Sequence, residues 1–340
     1  MIENSMVQRI GVLTSGGDAP GMNAAIRGVV RTAECLGVEC IGIKHGYVGL
    51  MKGDFIRLDE KVVKGITSSG GTILFTARSV EFNTEKGVSQ AAETCRHMGI
   101  EGLVVIGGDG TFRGALDLSK HDISVVGIPC TIDNDIGCTS YSIGFDTACN
   151  TAVEAVDRLN DTMRSHERCS VVEVMGRRAG HLAMAVGIAT GATIVLVPEV
   201  NYDFEKDVIE RIRAARLAGR NNFTVIVAEG AESAYGVSEK IKKATGIDTR
   251  LTALGHIQRG GSPHVRDRVV ATSLGYKAVF LLASGQKSRI VAMRGDKIID
   301  LDIVEALSLT KEFDFDMYKT FSALTFLDKK SLLQSFHHTK

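Results

Sequence analysis

Short runs of consecutive apolar residues alternate along this chain with longer stretches whose apolar positions recur at helical spacing. Arg9–Thr14 (RIGVLT) reads as a buried strand, followed by a turn over Ser15–Gly21 and a helix from Met22 to about Leu36. Cys40–Ile43 is a second short strand. Leu103–Ile106 (LVVI) leads into Gly107-Gly108-Asp109-Gly110 and a helix from Thr111, and Ile123–Ile128 (ISVVGI) leads into Pro129–Asp135. Ser170–Met175, Thr193–Val197 and Phe223–Ala228 read as further strands. Their apolar runs are continuous rather than alternating, so both faces of each strand are expected to be covered. Strands and helices in this alternation specify mostly parallel sheets flanked by helices, an α/β fold. The segment after Thr310 mixes Phe, Leu and Lys without Gly and reads as partly helical.

Composition narrows the class. The chain has 340 residues, enough for two domains of ordinary size. Lys plus Arg number 40 and Asp plus Glu number 40. That balance argues against a nucleic-acid or anionic-membrane partner. The polar stretch Met1–Arg9 lacks the apolar core of a signal peptide, and no apolar run is long enough to cross a bilayer, so a soluble, cytoplasmic protein is expected. Seven cysteines without a C-x-x-C pair suggest inert thiols in a reducing compartment rather than a zinc or redox site. Glycine is the outlier, 37 against 4 Pro, and many glycines fall in pairs just after apolar runs, where they favour tight strand-to-helix turns.

Ligands of open α/β sheets bind beyond the carboxyl ends of strands, and three motifs lie there. In Thr14-Ser15-Gly16-Gly17-Asp18-Ala19-Pro20-Gly21 the glycines let backbone N–H groups approach an anion at a helix N-terminus; a plain structural turn is the alternative. In Gly107-Gly108-Asp109-Gly110-Thr111 a carboxylate suited to Mg²⁺ is embedded in a phosphate-accepting turn, unless Asp109 merely caps the next helix. In Pro129-Cys130-Thr131-Ile132-Asp133-Asn134-Asp135 two acids repel unless a cation is near. Phosphoryl transfer uses such a pair, one carboxylate taking the attacking hydroxyl's proton and the other ordering the cation; an Asp- and Asn-rich turn is the alternative. Farther on, His256 and Arg259 lie in a glycine-rich segment able to hold a phosphate. Glu229 ends an apolar strand, where it either binds sugar hydroxyls or caps the following helix. No P-loop signature occurs.

Five stretches in one order, Gly11–Arg31, Val104–Thr111, Thr131–Ile136, Ser170–Arg177 and Leu254–Pro263, resemble the bacterial, homotetrameric type of 6-phosphofructokinase. Similarity runs from about Arg9 to about Asp302. The resemblance implies two three-layer α/β/α lobes with mostly parallel sheets. It implies a larger ATP- and Mg²⁺-binding domain (1–143 plus 257–308), a smaller fructose-6-phosphate-binding domain (144–256 plus 309–340), and an active site in the cleft between them. It further implies that Asp133 is the base, with Arg78 and Arg177 completing the catalytic set, and that Asp109 anchors Mg²⁺ with help from Asp135. ATP phosphates fall to Gly17, Arg78, Gly108, Asp109, Gly110 and Thr111. Fructose 6-phosphate falls to Thr131, Asp133, Met175, Gly176, Arg177 and Glu229, with His256 and Arg259 on its 6-phosphate. Arg168 and Arg250 resemble residues that reach that phosphate from a neighbouring subunit, so active sites are shared across an interface of the tetramer.

Two positions bear on the donor. Pyrophosphate-using relatives carry a carboxylate after G-G-D and a Lys before T-I-D-N-D; here stand Gly110, which leaves room for ATP, and Cys130, which matches neither type. A pyrophosphate-dependent enzyme is the nearest alternative, and a non-catalytic regulatory relative a more distant one. The family's anionic effector site between subunits keeps Arg27, Arg31 and Arg220. Glu60 and Asn160 replace Arg, Thr193 replaces Glu and Ala218 replaces Lys, which suggests that control by ADP and phosphoenolpyruvate is weakened, lost or retuned.

Overall fold

A computed structural model describes residues 7–325 of the protein. The chain divides into two compact units, Met1–Thr147 with Arg259–Lys311, and Ala148–Gln258 with Glu312–Lys340. The first holds a seven-stranded sheet built from β1 (Arg9–Thr14), β2 (Glu39–Ile43), β3 (Phe55–Leu58), β4 (Gly102–Gly107), β5 (Ser124–Pro129), β10 (Arg289–Arg294) and β11 (Lys297–Asp302). Their spatial order is β11-β10-β5-β4-β1-β2-β3. The five central strands are parallel, and β3 and β11 pair antiparallel at the two edges. The second unit holds β6 (Cys169–Val174), β7 (Ile194–Leu196), β8 (Phe223–Ala228) and β9 (Thr249–Ala253), all parallel, in the order β7-β8-β6-β9.

The apolar runs read from the sequence are the interior strands. Every residue of β4 and β8 is buried, as expected of strands covered on both faces. Leu103, Val105 and Val125 meet Phe112, Ala115 and Leu118 of the helix Asp109–Ser119. In the second unit Val171, Val225 and Val227 meet Ile212, Val237 and Ile241 of its helices. A fully buried side chain of this size stabilises by about 1.5–3 kcal/mol. The strands that the pattern did not signal are β3, β9, β10 and β11. Three of them are edge strands; β3 has four residues, and β9 and β11 bury few of theirs, so none shows a continuous apolar run. Within the partly helical segment after Thr310, Phe315–Thr325 is a helix; residues 326–340 lie outside the described residues. No disulfide joins the cysteines, and among the described residues no helix is long and apolar enough to cross a membrane.

One helix contact in the first unit is set by glycine. The helices Met22–Cys35 and Val265–Ala283 touch backbone to backbone. A Cβ on Gly28 would lie 2.7 Å from the Thr272 carbonyl oxygen, and one on Gly275 would lie 2.7 Å from that of Ala25. Gly28→Val is expected to lower the unfolding free energy, because overpacking costs about 1–3 kcal/mol whereas valine gains only about 0.4 kcal/mol of helix propensity over glycine. Urea unfolding measures it; an unchanged midpoint contradicts the contact.

Candidate active site

β1, β4 and β5 deliver their exits side by side. Thr14 is opposite Ile106, and Gly107 is opposite Pro129. The first two exits are tied together by Thr111 Oγ1, which donates to the Ser15 carbonyl at 3.1 Å; the first is also tied to the segment before β4, where Thr76 Oγ1 donates to the Gly16 carbonyl at 2.7 Å. A Cβ on Gly107 would sit 2.3 Å from Thr111 Oγ1 and 2.5 Å from the Ser15 carbonyl oxygen, so only glycine permits the approach. Gly108 and Gly110 face open space. Arg78 follows Thr76 by two residues, is exposed, and makes no ion pair among the described residues. Backbone N–H groups and a helix N-terminus thus lie at the two glycine turns, with an exposed guanidinium two residues from Thr76, which suits a polyphosphate.

The helix expected from Thr111 starts at Asp109, two residues earlier. Gly108 occupies the cap position and Asp109 is the first helical residue, so Asp109 is not the cap. Glycines read as a turn are tolerated there because first-turn N–H groups have no intrahelical partner.

The acid loop leaves β5 and folds back on itself. Thr131 N–H donates to the Ile143 carbonyl at 3.0 Å and Ile143 N–H to the Pro129 carbonyl at 3.1 Å. Ser142 binds across the loop, Oγ donating to the Thr131 carbonyl at 2.8 Å and N–H to Asn134 Oδ1 at 3.0 Å. Asn134 takes a left-handed φ of 51°. Asp133 is buried, with its N–H on Thr131 Oγ1 at 3.2 Å, whereas Asp135 is half-buried. Lys311, which the sequence reading passes over, donates from Nζ to the Thr139 carbonyl at 2.5 Å. Burial lowers its pKa, opposed by the nearby Cys138 and Asp135 side chains. The Cys138 thiol is pushed up to about 11 by burial and then by Asp109. Asp109 and Asp135 leave adjacent strands, and carboxylates in that number could hold Mg²⁺, which takes one or two and completes its shell with phosphate oxygens and water. Among the described residues no cluster of three or more His, Cys, Asp or Glu could hold a metal ion by itself.

Arg259 also belongs to the first unit. Its Nη1 donates to the Asp18 carbonyl at 3.1 Å, and a Cβ on Gly17 would come within 2.7 Å of that nitrogen. Cys130 is buried, which raises its thiol well above the usual range and keeps it neutral. Arg27 and Arg31 line a groove of about 790 Å³ with Tyr276 and Phe280. Arg31 is paired with Glu60 at 2.5 Å and Glu34 at 2.8 Å.

In the second unit, Glu229 does not cap the next helix; Ser233 does. Glu229 Oε1 instead accepts from Gly176 N–H at 3.2 Å and Arg177 N–H at 2.7 Å, shaping the turn after β6. Gly176 has φ 141° and Arg177 φ 55°. Met175 N–H donates to the buried Gln258 at 3.3 Å, and His256 is exposed. Arg168 and Arg250 converge on Asp248, at 2.6 and 3.0 Å. Burial raises the Asp248 pKa, but hydrogen bonds from Arg168 and then Arg250 outweigh it, and the net value is lowered. Arg220 lines a separate cavity of about 340 Å³ with Arg216, Glu167 and Asp248. Asn160 accepts from Thr224 Oγ1 at 2.6 Å, Thr193 Oγ1 accepts from Thr224 N–H at 3.3 Å, and Ala218 ends a helix.

A family model described as phosphofructokinase matches residues 9–282. The ATP-dependent 6-phosphofructokinase of Clostridium botulinum (strain Hall) is 51% identical over 312 residues, covering 92% of this chain and 98% of its own. The enzyme of that name from Clostridium tetani is 49% identical over 320 residues, covering 94% and 100%. The solved phosphofructokinase of Saccharomyces cerevisiae superposes with a TM-score of 0.86 at 34% identity over 93% of this chain, which spans 50% of the yeast chain.

Glu229→Ala removes a charged acceptor from two main-chain donors, a loss of about 1.5–3 kcal/mol. Amide hydrogen exchange at Gly176 and Arg177 is expected to quicken roughly 10- to 100-fold; unchanged exchange would show that Glu229 does not hold this turn.

Proposed function

The chain belongs to the phosphofructokinase family, and from that premise we propose that it transfers the γ-phosphoryl group of ATP to the 1-hydroxyl of fructose 6-phosphate, a step of glycolysis in the cytoplasm. The observation that carries the reading is the register of β4 and β5, which brings the turn of Asp109 and the loop of Asp133 and Asp135 off adjacent strands at one level. A loose phosphoryl-transfer transition state asks mainly for positioning and charge stabilisation. Asp133 accepts the proton of the 1-hydroxyl as the O–P bond forms. Gly17 and the Gly108–Thr111 turn cradle the donor phosphates, and Arg78 offsets charge on the transferring group. Asp109 and Asp135 would hold Mg²⁺, whose chemistry is neutralisation of the phosphate oxygens.

The sugar phosphate is assigned to Thr131, Met175, Gly176, Arg177 and Glu229, and its 6-phosphate to His256 and Arg259. Arg168 and Arg250, gathered on Asp248, are assigned to the 6-phosphate held by a neighbouring subunit, within a homotetramer. ATP is favoured over pyrophosphate as donor by the open space at Gly110 and by the neutral, buried thiol at Cys130, which supplies no ammonium charge. Arg27, Arg31 and Arg220 are assigned to an anion effector site between subunits whose response is weakened, lost or retuned, because Glu60 already occupies Arg31.

Asp133→Ser is expected to lower kcat by about 10²- to 10⁴-fold while sparing substrate binding. A near-normal rate removes the base assignment. In a coupled assay crossing donor with effector, ATP should support turnover and pyrophosphate should not. Strong phosphoenolpyruvate inhibition relieved by ADP would sink the effector assignment.

A further inference from the structure

We propose that Asp267, outside every motif that carries the chemistry, is a positioning residue that holds the acid loop and so keeps Asp133 in reacting geometry; the inference rests on the reading of Asp133 as the base. Asp267 lies in the first turn of the helix Val265–Ala283 and is fully buried. Its carboxylate accepts four hydrogen bonds. Oδ1 takes Tyr141 Oη–H at 2.5 Å and Gly144 N–H at 2.7 Å; Oδ2 takes Thr147 N–H at 2.9 Å and Thr147 Oγ1–H at 2.5 Å. All four donors lie on the returning arm of the acid loop or just beyond it. Arg266 lies over the Tyr141 ring, 4.4 Å from its centroid, and fixes that side chain from the other side.

The returning arm grips the outgoing one. Ile143 and Ser142, the residues just before Gly144, make the bonds to Pro129, Thr131 and Asn134. Thr131 and Asn134 flank Asp133. Asn134 takes a left-handed backbone, which asparagine tolerates better than most residues, and its side chain accepts from Ser142 of the returning arm. A carboxylate suits the clamp best, because each of its oxygens faces a backbone N–H that can only donate, Gly144 on Oδ1 and Thr147 on Oδ2. An amide of the same shape would, in either orientation, set its own N–H₂ against one of these backbone donors.

The test uses the full-length enzyme with Asp267→Asn, Tyr141→Phe and Asp133→Ser, singly and with each clamp variant combined with Asp133→Ser. Circular dichroism confirms that the assayed protein is folded. Asp267→Asn is expected to lower kcat on the order of 100-fold, the usual consequence of a slightly misplaced group. Tyr141→Phe, which deletes one donor, loses less. In the Asp133→Ser background neither clamp variant costs further rate, because the group it positions is gone. If Asp267→Asn does not fold, Tyr141→Phe alone carries the cycle. A wild-type kcat in the clamp variants, a loss confined to thermal stability, or an equal loss with and without Asp133 overturns the inference alone. A normal rate for Asp133→Ser overturns the base assignment and this inference with it.

Discussion

Because β1, β4 and β5 pair in parallel with no stagger at their carboxyl ends, the groups that surround the ligand have to be carried by the loops that leave there. A parallel ladder cannot reverse within a tight turn. Each strand therefore ends in a segment that must both bind and redirect the chain. Glycine solves this at the first two exits, where Ser15, Gly107 and Thr111 approach too closely for any larger residue at 107. At the third exit the solution is different. The acid loop is a ribbon held by side chains, and its last tie runs to a carboxylate on another helix.

The sequence made the interior of both sheets legible because burial on two faces writes a continuous apolar run. β8 has the limits read from its residues alone, and β1 likewise. The strands that went unread are mostly edge strands, where half-exposure erases that signature. The glycine and acid motifs announce themselves because few residue types tolerate such turns. The support behind them does not. An acid in the first turn of a helix ordinarily reads as a solvated partner of the helix dipole. Nothing near Asp267 in the chain reveals that its donors lie 120 to 126 residues upstream. Glu229 is a similar case: a strand-terminal acid followed by a helix suggests a cap, and only the fold brings it to Gly176 and Arg177.

Charge in this protein is spent locally. The overall balance is zero, yet Arg31 is occupied by two carboxylates, Arg168 and Arg250 share one, and Asp267 is held by four hydrogen-bond donors. Arg78 stands apart as an exposed guanidinium beside the glycine turns. Exposed pairs contribute little to stability, so the value of such arrangements lies in which charges they leave available for a ligand.

The first unit is written in two pieces. Its strands through β5 and its acid loop are complete by Thr147, but Arg259–Lys311 follows only after the intervening second unit. At a translation rate of about 5–20 residues per second, the intervening Ala148–Gln258 segment takes roughly 6 to 22 seconds to emerge. Through that interval the glycine face of the helix Met22–Cys35 and the outer edge of β5 wait uncovered on the ribosome. The acid loop is therefore synthesised before the carboxylate that holds it, and it gains that support only when Asp267 has emerged.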